Sequence, residues 1–169
     1  MVATADIIRN IADNMRPIQK LVTGFAYLLG IGFAFKALLT LKAYGEAKTM
    51  MSSHASMKEP FVYFIVAGFL LFFPSGLDVM LNTMFGNSSI LAYHSMGSEI
   101  DKFGQSVVLI MQTLGLVAFV RGWVLIARSA SSGGGQPGSI GKGLTHVIGG
   151  ILAINIVQTI NIIYNTIGL

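Results

Sequence analysis

No cysteine occurs among the 169 residues, so no disulfide framework, zinc finger or thiolate-held iron–sulfur site can form. Charge is also scarce. Asp, Glu, Lys and Arg make up 11% of the chain, against roughly 25% in an ordinary soluble domain. Catalytic signatures are missing too: His54, His94 and His146 stand alone, without acidic residues at ligand spacing, and no serine sits in a nucleophile elbow. No catalytic residue, cofactor or metal is therefore expected. His54, within the Met-rich stretch "KTMMSSHASMKE", reads as part of a solvated loop, with weak soft-metal binding through thioethers as the alternative.

The glycine-rich run "GGGQPGSIGKGLTHVIGG" from Gly133 to Gly150 superficially suggests a phosphate-binding loop. Such a loop requires Gly-Lys followed by Ser or Thr, with a glycine five positions before the Gly-Lys pair. Here Gly143 follows Lys142, and Gln136 holds the first-glycine position. Both diagnostic positions fail, and the run reads instead as a turn. Gly133–Gly135 and Gly138 permit backbone angles closed to other residues, Pro137 excludes helix, and Gly141 with Gly143 opens the last apolar segment.

What the chain does have is hydrophobic length. Apolar residues make up 53% and the mean hydropathy is +0.71, which excludes a typical soluble globule. Four stretches carry the excess: Leu21–Leu41, Phe61–Leu81, Val107–Ala127 and Leu144–Leu169. About 20 helical residues cross the roughly 30 Å hydrocarbon core of a bilayer. The expected fold is all-α, an integral membrane protein with four transmembrane helices arranged as two tandem hairpins. An N-terminal amphipathic helix is expected over residues 1–17, capped by Thr4, with Ile7, Ile8, Ile11, Met15 and, just beyond it, Ile18 at helical spacing and Pro17 at the bend into the first span. A frayed tail is the alternative. Residues 18–86 form the first hairpin, 87–104 a connecting loop and 105–169 the second hairpin.

The two hairpins look alike. "LGIGFAFKALLTLKA" from Leu29 aligns with "LGLVAFVRGWVLIAR" from Leu114, an offset of 85 that places Gly30 on Gly115 and Lys36 on Arg121. The second members align at an offset of 82, which places Gly86 on Gly168. Chance matching among apolar segments is the competing explanation. Tandem hairpins joined by one loop point the same way, so the turns Lys42–Pro60 and Arg128–Lys142 share one side. Those turns and their helix ends hold seven basic residues, Lys36, Lys42, Lys48, Lys58, Arg121, Arg128 and Lys142, against four elsewhere. The positive-inside rule then expects cytoplasmic turns with both termini on the far side of the membrane. Scattered on helix ends, these cations are flanking charges, not a nucleic-acid patch.

Three groups of residues are candidates for function. Lys36 and Arg121 lie inside the ends of their helices, where they either snorkel to the interface or face a neighbouring subunit, an anionic lipid or a lumen. Asp78 is the one acidic residue well inside an apolar stretch; it is read as an ion-pair partner for Arg121 near the interface, with a proton relay as the alternative. The third group is the last span, where Asn155, Gln158, Thr159, Asn161, Asn165 and Thr166 recur every three or four residues. Amides facing hydrocarbon cost several kcal/mol each, so that face must meet protein or water. Gly149 and Ala153, and likewise Ala26, Gly30 and Ala34, are four apart and permit close helix approach. Self-assembly is the expected purpose.

The stretch "GSIGKGLTHVIGGILAINIV", Gly138 to Val157, resembles the IcmC/DotE family of inner-membrane components of type IVB (Dot/Icm) secretion systems and the related TraQ proteins of I-type conjugative plasmids. The resemblance implies a non-enzymatic subunit of a secretion or DNA-transfer apparatus in the bacterial inner membrane, which makes the far side, where the termini are expected before assembly, the periplasm. Its implied partners are itself, other secretion or conjugation subunits and membrane phospholipid, with single-stranded DNA or effector protein as passing cargo. Each hairpin is also similar to a type IVA pilin, which implies a pilus or channel, and an extracellular pilus location, with Lys42, Lys48, Lys58, Arg128 and Lys142 toward the lumen or the lipid headgroups. Against this, the first turn lacks the glycines of the second. A small transporter or proton-coupled carrier using Asp78 and Arg121 is the competing function.

Overall fold

The computed structural model describes residues 2–50, 56–86, 99–131 and 139–168. His54, His94, Gly133–Gly135, Pro137 and Gly138 lie outside the described residues. Six helices make up the described chain: α1 (Val2–Thr49), α2 (Lys58–Leu71), α3 (Phe73–Phe85), α4 (Glu99–Ala130), α5 (Ser139–Ile154) and α6 (Ile156–Ile167). No strand occurs among the described residues. The segments Asp13–Thr49 and Gly104–Ala130 are long and apolar enough to cross a membrane. Counting each remaining bent pair as one span raises the number to four.

Two boundaries differ from expectation. α1 is continuous from Val2 through Pro17 to Thr49, so no break separates an interfacial helix from the first span, and Thr4 lies inside the helix instead of capping it. Pro17 fits because its fixed φ is helical; its missing N–H removes one hydrogen bond without forcing a terminus. α4 begins at Glu99, so the helix already occupies the end of the segment expected to be a connecting loop.

The larger correction concerns the second helix of each hairpin, expected as a straight span. α2 and α3 meet at 91°, and α5 and α6 at 92°. At the first bend Phe72 leaves the helical region with φ −103° and ψ 34°, and Pro74 opens α3. Proline at that position cannot donate to the Leu70 carbonyl and its ring would clash there, so a continuous helix is disfavoured. The second bend has no proline. Asn155 takes φ −111° and ψ 50°, flanked by two β-branched isoleucines of lower helix propensity, and side chains close the gap: Asn155 Nδ2 donates to Gln158 Oε1 at 2.9 Å and Thr159 Oγ1 donates back across the bend to the Leu152 carbonyl at 2.9 Å.

Each long helix pairs antiparallel with the helix that follows it. Phe33 stacks on Tyr63 at 6.0 Å between α1 and α2, and Gly30 faces Leu70 and Leu71. The two hairpins then pack side by side. Phe69 of α2 stacks on Trp123 of α4 at 4.2 Å, and one turn further on Phe73 meets Phe119 at 5.8 Å. Gln19 of α1 donates to Thr113 Oγ1 of α4 at 3.0 Å. Further along both helices Val22 and Phe25 share a groove with Val117 and Arg121. α1 and α4 therefore run parallel, and the two hairpin turns lie at the same end, as the tandem arrangement requires. The core joins α1, α2, α3, α4 and α5, with Ala26, Leu70, Leu81, Phe119 and Ile154 almost fully enclosed.

Candidate functional site: two interlocked hairpins with right-angled ends

Glycine decides how the second hairpin closes. A Cβ on Gly115 would stand 2.8 Å from the Gly150 carbonyl oxygen, and one on Gly150 would stand 2.8 Å from that of Gly115. Seven residues along, a Cβ on Gly122 would stand 2.8 Å from the Gly143 carbonyl and one on Gly143 2.9 Å from that of Gly122. The contacts are reciprocal and backbone to backbone, so α4 and α5 touch at two glycine pairs one heptad apart, the spacing that keeps a seam between helices in register. Gly149 and Ala153, expected on an assembly face, are not part of this seam. The structure leaves a Cβ at Gly149 in open space and Ala153 half-buried, because the helical phase turns position 150, not 149, toward α4. In the first hairpin Gly30 and Ala37 take the roles of Gly115 and Gly122. A Cβ on Gly30 would stand 2.9 Å from the Leu71 nitrogen, and Ala37 is fully buried.

The bends give the repeat its true register. Phe72 and Asn155 are 83 residues apart, one more than the offset of 82 that aligns Gly86 with Gly168. Those two glycines do close α3 and α6 in the left-handed region, at φ +73° and +80°, but α3 has 13 residues and α6 has 12. At an offset of 83, Ser75, Asp78 and Asn82 of α3 fall on Gln158, Asn161 and Asn165 of α6. Each trio lies along one helical face. Phe73 and Leu77 then fall on Ile156 and Ile160 of the opposite faces. The amide face of the last segment is thus one of two corresponding polar faces, each on a short helix set at right angles to its hairpin; α3 buries Phe73, Leu77 and Leu81 behind its face, whereas α6 buries none.

The remaining sequence-selected residues separate into three places. At the hairpin-turn end Lys42, Lys48, Lys58, Arg128 and Lys142 are all exposed. Lys42 pairs with Glu46 at 3.7 Å and Lys48 lies 6.0 Å from the Tyr44 ring. Lys36, also exposed, sits 4.6 Å over the buried Tyr63 ring, a cation–π contact that anchors its stem against the first hairpin. Arg121 and Arg128 are the charged residues of a groove of about 460 Å³ between α1 and α4, otherwise lined by valines, Leu125 and Phe25. Asp78 is half-buried on α3, and among the described residues it forms no ion pair with Arg121. The expected pairing fails because the bend carries Asp78 onto the transverse helix.

Asn155, at the bend, is buried, while Asn161 and Asn165 on α6 are exposed. No residue of α6 is buried. Asn155, Gln158 and Thr159 thus spend their polar groups on the bend itself, and only the outer amides face away from the chain. The sequence reading did not single out the reciprocal glycines, the Gln19–Thr113 link or the Phe69–Trp123 stack. The heptad spacing of Gly115 with Gly122 and of Gly143 with Gly150 was the available signal for the first of these. Among the described residues no group of His, Asp and Glu is placed to hold a metal ion. Comparison with protein families, curated proteins and solved structures finds no match.

Proposed function

We propose that this chain is a membrane structural subunit that assembles within a type IVB secretion or conjugative DNA-transfer apparatus, the role implied by the resemblance over Gly138–Val157. The observation that supports it is the side-by-side docking of two like hairpins through Phe69–Trp123 and Phe73–Phe119. The hairpin is a unit that packs on its own kind, and the chain already contains one such junction.

Lengths set the depth of the transverse helices. The 14 residues of α2 and 16 of α5 rise about 21 and 24 Å at 1.5 Å each, some 6 to 9 Å short of the roughly 30 Å hydrocarbon core. A helix turned sideways at that depth lies where amphipathic interfacial helices lie, about 5–10 Å into the acyl boundary. In this reading α3, docked on the core through Leu77 and Leu81, and α6 lie at the leaflet opposite the hairpin turns. Ile156, Ile160, Ile163 and Ile167 of α6 point toward the acyl chains, and Asn161 and Asn165 toward water. The bend thereby spares the amides a cost of several kcal/mol each in hydrocarbon. The basic end, with Lys42, Lys48, Lys58, Arg128 and Lys142, faces the cytoplasm, and partner subunits, phospholipid and passing cargo meet the subunit from there or from its flanks.

The carrier reading keeps one supporting feature, the broken helices at matching positions of two repeats. It requires Asp78 and Arg121 to act together, and they are not paired. Electron microscopy of the detergent-purified protein separates the two. Rings or filaments support the subunit, whereas uniform monomers, with transport abolished by Asp78→Asn, would replace it with the carrier.

A further inference from the structure

We propose that copies of this chain associate head to tail by repeating between molecules the interface that joins its own two hairpins. This deepens the assembly reading above and rests on it. Inside the chain the first hairpin reaches α4 through Phe69 of α2, stacked on Trp123, and through Gln19 of α1, bonded to Thr113; Val66 of α2 and Thr113, Leu116, Val120 and Trp123 along this face of α4 are all buried.

The repeat registers locate the same two faces at the free edges. At the offset of 85 the receiving residues of α4 correspond to Leu28, Ile31, Phe35 and Leu38 of α1. All four are apolar and open, with exposures of 66, 46, 63 and 54%. At the offset of 83 the presenting residues of α2 correspond to Gly149 and Leu152 of α5. Gly149 is exposed and Leu152 half-buried. No atom lies within 4 Å of where a Cβ on Gly149 would stand, so an incoming helix meets a flat surface there.

One edge of the molecule thus carries the unused copy of the presenting face, and the other edge the unused copy of the receiving face. A second copy is the occupant that matches both at once. Such a contact is heterologous: α5, with α4 beside it, of one molecule lies on α1 of the next, and the series closes into a ring or continues as a filament according to the rotation per hairpin. Because both repeats point the same way, every copy keeps its basic turns on one side of the membrane. Two-fold pairing of α1 with α1 would instead leave each α5 face uncovered.

The cysteine-free chain suits a direct test. Leu38→Cys and Leu152→Cys occupy the positions equivalent to Trp123 and Phe69, and a short bis-maleimide is applied in native membranes. The double variant is expected to give a ladder of dimers, trimers and higher species, while each single variant stays uncrosslinked. Adding Gly149→Leu, a change with no neighbour to disturb inside the monomer, is expected to reduce the ladder at least tenfold with Trp123 fluorescence unchanged. Dimers from Leu38→Cys alone, or a ladder undiminished by Gly149→Leu, would overturn the proposal. Oligomers by native mass measurement without a Leu38–Leu152 crosslink would overturn this surface while leaving assembly standing. Monomers alone would remove both.

Discussion

Gly149 and Gly150 are neighbours in sequence with opposite surroundings, and alanine at each should give opposite results. At Gly150 the new methyl carbon would lie 2.8 Å from the Gly115 carbonyl oxygen and 2.8 Å from the Phe119 nitrogen, where ordinary contact begins at 3.4 Å. The obstructing atoms are backbone, so relief comes only from parting α4 and α5 by about 0.6 Å, which also loosens the Gly122–Gly143 contact. Overpacking of this kind costs about 1–3 kcal/mol. The better helix propensity of alanine returns up to about 1 kcal/mol. Gly150→Ala should therefore lower stability by about 0–2 kcal/mol, while Gly149→Ala, with nothing to strike, should be neutral or raise it by up to about 1 kcal/mol. The assay is unfolding of the micelle-bound protein by sodium dodecyl sulfate, followed by far-ultraviolet circular dichroism and Trp123 fluorescence. Because the Gly115–Gly150 contact is reciprocal, the Gly115→Ala, Gly150→Ala double variant should cost less than its parts combined, the first change having already opened the gap. Equal stability of the two neighbouring single variants would refute the interlocked seam.

Trp123 Nε1 is buried without a hydrogen-bond partner, so Trp123→Phe should cost less than about 1 kcal/mol beyond its lost area, whereas Trp123→Ala should cost about 3–5 kcal/mol; denaturation midpoints decide it. Phe69→Ala removes the ring stacked on that indole and should destabilise by about 3–5 kcal/mol, and should shift the fluorescence of the single tryptophan to longer wavelength as water or detergent replaces the ring. Thr159→Val deletes the hydroxyl bridge to the Leu152 carbonyl across the second bend and should cost about 1–2 kcal/mol; spin labels on α5 and α6 should report a broadened distance distribution, and an unchanged one would show that the bend does not depend on this bridge. Asn161→Leu, on the outer amide face, should leave folding intact within about 0.5 kcal/mol, and a large loss of stability would show that this face is enclosed by protein within the chain.

Much of the architecture is readable along the chain. The helical class, the apolar lengths and the resemblance between halves all follow from composition and spacing, because a lipid-facing helix has few ways to be built. Phe72 and Asn155 mark where such reading stops. The first bend has a local cause in Pro74, but apolar residues run on past it, and a hydropathy window averages over the break. The second lacks even a proline, and its amides carry the same helical periodicity whether the segment crosses the membrane or lies along it. Periodicity reports which residues share a face, not the direction in which the axis points. The one-residue difference between α3 and α6 hid the correspondence of Ser75, Asp78 and Asn82 with Gln158, Asn161 and Asn165 for the same reason.

The order of residues by itself determined that this chain is helical, that it has enough apolar length for a membrane and that its two halves share a pattern, since these depend on local propensity and on transfer of side chains out of water. Only the tertiary structure decided which glycine of an adjacent pair meets another backbone, where each second helix turns through a right angle and that Asp78 and Arg121 stay apart. Those outcomes depend on the rotational phase of one helix against another, and a shift of a single residue turns that phase by about 100°.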